Sequence, residues 1–369
     1  MTRRNLPGHS GRVNQCAISG DGGTVASVSS DGSLRLCSTP GASASQVERA
    51  ATVFTGSAAL SLSWETRGDR LLLFGTAACG IKIWNADAKK MALEMVSPAN
   101  VPHVTRVAMS PDGSSLMACC NGTGHVTSVL QAYSLRGGKP MQTMVLPEGV
   151  HITDARYNHN GTLLATAARD GYVRLFDVRD GGVIMQWHAA GVGEGPRGGG
   201  GEVPLSIRFG ADETSLISCY WEAVDEWSAH MAGRRLARYP LGGPACAAPP
   251  AAASADGAAD PWLLDAAVDM ALSPSGRYVA AANGLPFASI VPLDRGAGGP
   301  TAAAWEDGAA PTPAWQALGD LPAGVSSLDW ARAVEPSGRV ARPPAAPAAM
   351  LLTGSADGGL CLHMLADAA

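Results

Sequence analysis

The carboxylates in this sequence that could act in catalysis recur within a repeating pattern. Asp170 and Asp177 stand in "YNHNGTLLATAARDGYVRLFDV", residues 157–178, between runs of alternating apolar and polar residues. Asp31, Asp170 and Asp357 each precede a glycine and stand six residues before the end of a strand-like run. An aspartate followed by glycine suits a tight hairpin, where the carboxylate accepts backbone N–H groups and glycine supplies a positive φ. The recurrence predicts turn residues, not catalytic acids.

Other signatures of catalysis or metal binding are missing from the sequence. The eight histidines form no HxxH or HExxH motif, the eight cysteines form no CxxC pair, and there is no GxSxG. The glycine-rich run at 191–202 lacks the Lys-Ser/Thr of a phosphate-binding loop. We therefore expect a protein that is not an enzyme, with no cofactor, no metal and reduced, buried thiols.

Composition excludes two further classes of protein. The chain has 369 residues, 46% hydrophobic and 16% charged, with a formal net charge of −5 and no block of like charges. A groove that follows nucleic-acid phosphates is not expected from this charge. No apolar run approaches the length of a membrane span.

A repeat composed only of strand-like segments occurs about seven times along the chain. Its copies are at residues 8–38, 60–85, 104–134, 151–178, 203–228, 266–293 and 325–365. The first five copies close on Cys37, Trp84, Tyr133, Phe176 and Trp227, at intervals of roughly 45–50 residues, a period typical of four-stranded propeller blades. The sequence therefore predicts an all-β fold, a seven-bladed β-propeller, with Thr2–Leu6 as the outermost strand beside Leu360–Leu365.

Several segments resemble WD repeats. They include Gly8-His9, the turn at Ser110–Gly113, "SSDGSLRLC", "ARDGYVRLFD" and Trp84-Asn85. Residues 60–90 and 157–178 are more closely similar to the C-terminal propeller of the WD repeat-containing protein 91 family. The likeness covers most of 8–240 and returns in the final unit, but it is thin from 241 to 349.

The resemblance implies a non-enzymatic scaffold that binds proteins. It implies a role in early-to-late endosome conversion and in regulating phosphatidylinositol 3-kinase activity. The implied partners are a second WD-repeat protein, subunits of the phosphatidylinositol 3-kinase complex and a late-endosomal Rab GTPase. The implied location is cytoplasmic, peripheral to early and late endosomes. The family's N-terminal LisH-like and coiled-coil region has no counterpart here, as in a fragment or a truncated gene model, so its activities are not assigned.

The resemblance also implies structural roles. In a WD blade, a turn Asp, a His, a strand Ser/Thr and a closing Trp form a buried hydrogen-bond chain. No repeat of this sequence clearly contains all four residues. We therefore predict degenerate blades that are held together mainly by apolar packing. The residues assigned to turns and blades are His9, Asp31, Trp84, Asp170, Asp177, Trp227 and Asp357.

One edge of the propeller is a candidate binding surface. Aligning the repeats places Arg12, His103 and His151 at equivalent points just before the innermost strand, with Arg169 in an adjacent turn. We name these four residues the rim. A partner-binding surface and ordinary solvated loop residues both remain open as interpretations.

We expect residues 1–369 to form a single propeller that carries long flexible loops. Four segments rich in Ala, Pro or Gly are assigned to these loops: 191–202, 242–261, 294–315 and 334–349. Because a propeller does not identify its partner, a different assembly stays open, such as a ubiquitin-ligase substrate receptor or a chromatin complex.

Overall fold

The structure is a computed structural model that describes residues 2–40, 42–65, 68–78, 80–96, 103–122, 127–189, 203–221, 223–241, 268–283, 288–293, 316–318, 323–332 and 349–365. The loops predicted at 191–202, 242–261 and 294–315 lie outside these residues, as does 334–348. The fourth predicted loop is one residue too long, because Ala349 already pairs with Leu365 at the start of a strand.

The described chain is built almost entirely of strands, with one short helix, α1 (Ala44–Glu48). In chain order the strands are β1 (Thr2–Leu6), β2 (Val13–Ile18), β3 (Thr24–Ser29), β4 (Ser33–Ser38), β5 (Ala51–Phe54), β6 (Ala59–Trp64), β7 (Leu71–Thr76), β8 (Gly80–Asn85), β9 (Lys90–Val96), β10 (His103–Met109), β11 (Ser115–Asn121), β12 (Val129–Ser134), β13 (Pro140–Val145), β14 (Ile152–Tyr157), β15 (Leu163–Ala168), β16 (Tyr172–Asp177), β17 (Val183–His188), β18 (Ser206–Phe209), β19 (Ser215–Cys219), β20 (Ala223–Ser228), β21 (Arg235–Pro240), β22 (Val268–Leu272), β23 (Tyr278–Asn283), β24 (Ala288–Pro292), β25 (Gln316–Leu318), β26 (Val325–Arg332), β27 (Ala349–Ser355) and β28 (Leu360–Leu365).

These strands form seven four-stranded antiparallel sheets, which confirms the predicted seven-bladed propeller. Blades 1 to 6 are successive groups of four strands from β2 to β25, and blade 7 has the order β1-β28-β27-β26. The predicted ring closure is confirmed, because Thr2–Leu6 pairs with Leu360–Met364. The first and last strands of the chain therefore complete one blade together.

The apolar core lies between neighbouring blades. One cluster joins Ala26 and Leu36 of blade 1 to Leu62 and Leu72 of blade 2. Another joins Leu130 of blade 3 to residues of blade 4. Each sheet is thus buried on both faces, which places the innermost strands around a central channel.

Two edges of the ring are distinguished below. The upper edge carries the turns between the second and third strands of each blade, such as Ser29–Ser33. The lower edge carries the turns between the first and second strands, such as Ser110–Ser115, and those between the third and fourth strands, such as residues 135–139. The predicted rim belongs to the upper edge.

Candidate functional site

The structure places Arg12 and His151 just before the innermost strands of their blades, as the repeat alignment predicts, whereas His103 is already the first residue of β10. A β-bulge follows Val13, Val104 and Ile152 in β2, β10 and β14. Arg12, His103 and His151 immediately precede these three residues, so they occupy equivalent places in blades 1, 3 and 4.

Backbone contacts anchor two parts of the rim. The Arg169 N–H donates to the carbonyl of His151 at 2.8 Å, and the Ser30 N–H donates to that of Arg12 at 3.0 Å. His103 contacts the Ala77 carbonyl through Nδ1 at 2.9 Å. Burial and the nearby Arg106 lower the pKa of Arg12. The rim is therefore a set of equivalent positions along one edge, and Arg169 joins His151 in blade 4.

Asp31 organises the upper turn of blade 1. Its carboxylate contacts His9 Nδ1 at 3.1 Å and accepts hydrogen bonds from the Ser33 and Ser10 N–H groups. His9 is buried, and its Nε2 is 2.8 Å from Ser27 Oγ. Although burial opposes ionisation, these hydrogen bonds lower the pKa of Asp31 to about 2. The chain Asp31–His9–Ser27 is thus complete except for the closing aromatic residue, where Cys37 stands.

Asp170 has a different partner at the same place in blade 4. It accepts a hydrogen bond from the Tyr172 N–H at 3.1 Å and forms a close ion pair with Arg174. The Arg174 guanidinium also stacks 5.0 Å from the centre of the Tyr172 ring, whose edge meets His188. The charge of Asp170 is therefore balanced by an arginine on the third strand of its own blade. The equivalent Asp31 contacts a histidine instead.

The remaining turn aspartates cap backbone N–H groups. Asp177 Oδ1 accepts from the Arg179 N–H at 2.7 Å, and Asp357 Oδ1 accepts from the Gly359 N–H at 3.0 Å. His363, at the closing position of blade 7, contacts Thr353 Oγ1 at 3.2 Å. Burial lowers the pKa of His363 to about 4, so this histidine is neutral at physiological pH.

The two assigned tryptophans differ in their hydrogen bonds. Trp227 Nε1 donates to Ser218 Oγ at 2.7 Å, and Ser218 in turn contacts the Tyr220 hydroxyl. In blade 2 the place of Ser218 is taken by Phe74. Each stands two residues after the residue that pairs with the tryptophan, which is Leu216 for Trp227 and Leu72 for Trp84. The buried Nε1 of Trp84 accordingly has no hydrogen-bond acceptor among the residues that the structure describes.

Sequence reasoning missed a set of polar residues on the innermost strands. In blades 1, 4 and 7 the residue that follows the bulge accepts a backbone N–H from the innermost strand of the next blade. Gln15 accepts from Leu62 at 3.0 Å, and Ser327 accepts from Cys16 at 3.0 Å. These contacts join blade 1 to blade 2 and blade 7 to blade 1. Hydrogen bonds therefore connect consecutive blades around the channel.

Asp154 and Asp269 make the same connection with charged groups. Asp154 Oδ2 accepts from Ser206 Oγ at 2.9 Å and from the Ile207 N–H at 3.1 Å. Asp269 Oδ2 accepts from Ser327 Oγ at 2.9 Å and from the Leu328 N–H at 3.1 Å. The two carboxylates thus link blade 4 to blade 5 and blade 6 to blade 7.

Arginines surround these buried carboxylates. Asp154 is contacted by Arg208 at 2.7 Å, Arg156 at 3.3 Å and Arg106 at 3.6 Å, and Arg208 also reaches Asp269 at 3.2 Å. Although burial opposes ionisation, the three arginines hold the pKa of Asp154 well below its usual value. These three guanidinium groups face two carboxylates, which leaves an excess of one positive charge among the five side chains.

Asp329 is the acidic group of the ring-closing joint. Its Oδ2 accepts from the Ile18 N–H at 2.6 Å, which links blade 7 to blade 1. Burial raises the pKa of Asp329 to about 6 despite this hydrogen bond. The contrast with Asp154 arises because arginines contact Asp154 directly.

A sequence signal for these residues did exist. The strands "ITDARY", "SIRF" and "VDMAL" carry a charged residue inside a run that otherwise alternates toward the core. A charge in such a run requires a partner, because an unpaired buried charge is strongly destabilising. Identifying that partner requires knowing which blades are adjacent.

Other site types were sought in the structure. Among the residues it describes, no group of three or more His, Cys, Asp or Glu side chains is arranged to hold a metal ion. Within the described residues, Cys16, Cys119, Cys120, Cys219 and Cys361 are buried and form no disulfide bond. No helix in the described part of the chain is long and apolar enough to cross a bilayer.

Known proteins resemble this chain in its repeats and over most of its length. The family model "WD domain, G-beta repeat" matches residues 2–38, and the model "Anaphase-promoting complex subunit 4 WD40 domain" matches residues 127–194. The WD repeat-containing protein 91 homolog of Dictyostelium discoideum is 31% identical over 232 residues, which cover 63% of this chain and 28% of the relative.

Two vertebrate relatives give the same picture. WD repeat-containing protein 91 of Danio rerio is 30% identical over 63% of this chain and 32% of its own length. The Gallus gallus protein is 28% identical over the same shares. The chain therefore spans only about a third of the length of the curated relatives it matches. It is a WD-repeat β-propeller whose sequence is similar to that of the WD repeat-containing protein 91 proteins.

Proposed function

We propose that this propeller is a non-enzymatic scaffold that binds proteins in endosomal trafficking. The observation that carries the proposal is the similarity to WD repeat-containing protein 91 relatives over 63% of the chain. A closed ring of seven sheets supports it, because such a ring holds its connecting loops at fixed positions while those loops vary in sequence.

In this role the protein acts in early-to-late endosome conversion and restrains phosphatidylinositol 3-kinase activity. Its partners are a second WD-repeat protein, subunits of the kinase complex and a late-endosomal Rab GTPase. It resides in the cytoplasm, at the surface of early and late endosomes. These statements extend to this chain what its resemblance implies.

The rim is the proposed contact surface on the propeller. Arg12, His103, His151 and Arg169 lie along the upper edge of blades 1, 3 and 4, at places fixed by the same bulge. Arginine and histidine donate hydrogen bonds to acidic and carbonyl groups of a partner. The surrounding strands hold these residues at constant separations.

A second candidate function is a subunit of a ubiquitin ligase or of a chromatin complex. The match of residues 127–194 to the WD40 domain of an anaphase-promoting complex subunit favours the ligase. That match covers only blade 4 and the end of blade 3, whereas the similarity to the WD repeat-containing protein 91 relatives extends over several blades.

Proximity labelling in cells tests the proposal. The full chain fused to a labelling enzyme should mark endosomal proteins, including kinase-complex subunits and a Rab GTPase. Enrichment of ligase or histone-modifying subunits instead would establish the second candidate.

A rim variant tests the contact surface in the same experiment. Changing Arg12, His103, His151 and Arg169 together to alanine should reduce labelling of the endosomal proteins at least fivefold. The matched control changes Arg136 and Arg179, exposed residues of the lower edge, to alanine and should label normally. Equal labelling by both variants would remove the rim from the proposal but leave the scaffold function intact.

A further inference from the structure

A cavity opens at the lower end of the channel, between blades 2, 3 and 4. Its volume is about 580 Å³, and it is lined by Ser63, Ala108, Met109, Pro111, Asp112 and residues 156–160. The lining combines the last residues of three innermost strands with the lower turns of blades 3 and 4. A cavity of this volume is large enough for one or two side chains of another molecule.

The cavity exists because equivalent places on the three strands hold side chains of different sizes. Ser63, Ala108 and Arg156 each stand two residues after the residue that follows the bulge. Ser63 and Ala108 are small, so the space beside the long Arg156 side chain stays open. The Ser63 hydroxyl already has a hydrogen-bond partner, since its Oγ accepts from the Met109 N–H at 3.3 Å.

Arg156 presents donors to this cavity. Its side chain is 21% exposed, and it contacts Asp154 through Nε at 3.3 Å. This Nε is buried and makes no hydrogen bond to a described residue, although it lies close enough to Asp154 for an ion pair. An arginine fork binds a carboxylate best through two parallel N–H groups. Arg156 therefore retains unused capacity for an oxyanion.

The charge around Arg156 favours an anionic ligand. Asp154 is already shared with Arg208 and Arg106, and Arg208 also reaches Asp269, so three guanidinium groups face two carboxylates and leave an excess of one positive charge. The acidic group of the lining, Asp112, holds donors of its own turn: Oδ1 accepts from Ser110 Oγ and the Ser114 N–H, and Oδ2 accepts from Ser114 Oγ. An incoming carboxylate would thus meet the arginine end of the cavity.

The asparagines at the mouth of the cavity are held by their own turn. Asn158 Oδ1 accepts from the Leu163 N–H at 2.9 Å, and Asn160 Oδ1 accepts from the Thr162 N–H at 3.0 Å. Glu213 of blade 5 accepts from the His159 N–H and fixes this turn to its neighbour. The mouth is therefore preformed, which reduces the ordering cost of binding.

We propose that this cavity binds the carboxylate side chain of an acidic segment in a protein partner, through a bidentate contact from Arg156. The site is separate from the rim, since it lies at the lower edge of the ring. It rests on the proposed function only in that the ligand belongs to a protein.

The test uses the full chain and two short peptides. An acetylated and amidated Ala-Glu-Ala tripeptide is titrated while the Nε–Hε resonance of Arg156 is followed by NMR. The glutamate peptide should give a saturable shift in the millimolar range, and the otherwise identical glutamine peptide should give none. Equal shifts with both peptides would overturn the proposal. Inorganic phosphate that saturates the site more tightly than the glutamate peptide would also overturn it and would point to a small-anion site.

Two variants locate the binding within the cavity. Ala108→Met fills the space in front of Arg156 and should weaken binding at least tenfold. Arg156→Met should abolish binding, which is followed in this variant through the backbone amide resonances of Asn158 and Asn160, since the Nε–Hε probe is absent. Arg136→Met changes an exposed arginine of the neighbouring lower turn and should bind like the wild-type chain. Ala108→Met leaves every Arg156 contact in place, so unweakened binding by this variant would place the ligand elsewhere. Endosomal labelling by the wild-type chain is a separate readout, and its outcome does not depend on these titrations.

Discussion

The aspartates of the upper turns and those of the innermost strands obtain their hydrogen-bond donors from different parts of the ring. Asp31 and Asp170 accept from their own hairpins, together with a nearby His9 or Arg174. Asp154 and Asp269 accept from the neighbouring blade. Turn aspartates therefore shape a blade, whereas inner-strand aspartates determine how blades join. Changes in the two sets should differ in both size and cooperativity.

Removing the shared strand of blade 7 should have the largest effect. Deleting residues 1–7 exposes the edge of β28 and removes the buried Leu6. Several kcal/mol of stability should be lost, which corresponds to a thermal midpoint roughly 10 °C lower. Scanning calorimetry checks the change, with the exposed Arg4→Ala on the same strand as control. An unchanged midpoint would mean that β1 does not hold the ring closed.

Loss of an inner-strand carboxylate should rank next. Asp154→Ala leaves Arg106, Arg156 and Arg208 without their shared partner and leaves the Ile207 N–H unsatisfied. Breaking such a buried network costs about 3–5 kcal/mol. Urea denaturation measures the free energy of unfolding, and the exposed Asp180→Ala is the control. A cost below about 1 kcal/mol would show that this network does not stabilise the joint.

The stability of the joint between blades 7 and 1 should depend on pH. Because burial raises the pKa of Asp329 to about 6, the folded chain binds this proton more tightly than the unfolded chain does. In the unfolded chain an aspartate has its ordinary pKa of about 3.9. The contribution of Asp329 is therefore fully present below that ordinary pKa and is lost as the pH rises through about 6.

Asp329→Asn keeps an oxygen for the Ile18 N–H but cannot ionise. Relative to the wild-type chain, the variant should gain about 1–3 kcal/mol of stability between pH 4 and pH 7, since Asp329 is only half-buried and solvent screens part of the shift. Urea denaturation at a series of pH values gives this difference. A constant difference across the series would contradict the raised pKa.

The turn aspartates and the inner-strand aspartates also differ in how well the sequence predicts their roles. The turn aspartates were visible because Asp31, Asp170 and Asp357 recur at one position of the unit, and each accepts from the N–H two residues further along its own turn. Asp154 was not visible as a connector, since its partners Ser206 and Ile207 lie more than 50 residues away. Trp84 shows the same limit: its identity suggested a hydrogen-bonded blade, but Phe74 occupies the acceptor's place on the adjacent strand. The residues of a local turn are enough to predict a blade. The contacts between blades can be identified only once it is known which strands are neighbours in the folded protein.

The smallest effects should come from the two upper turns, and comparing them isolates the role of the charged partner. Asp31→Ala removes the acceptor for the Ser33 and Ser10 N–H groups and leaves His9 buried beside an empty place. Asp170→Ala removes the acceptor for the Tyr172 N–H but leaves Arg174 stacked on the Tyr172 ring. Each change should cost about 1–3 kcal/mol, with the Asp31 variant at the upper end because more donors lose their acceptor.

Urea denaturation of both variants supplies the comparison, and Arg174→Met serves as the matched change on the partner side. If Arg174→Met costs as much as Asp170→Ala, the ion pair carries the stabilisation of blade 4. A clearly smaller cost would assign that stabilisation to the turn hydrogen bond of Asp170. Lost partner labelling by Asp170→Ala at unchanged stability would instead make Asp170 part of the binding surface, since it adjoins Arg169 of the rim.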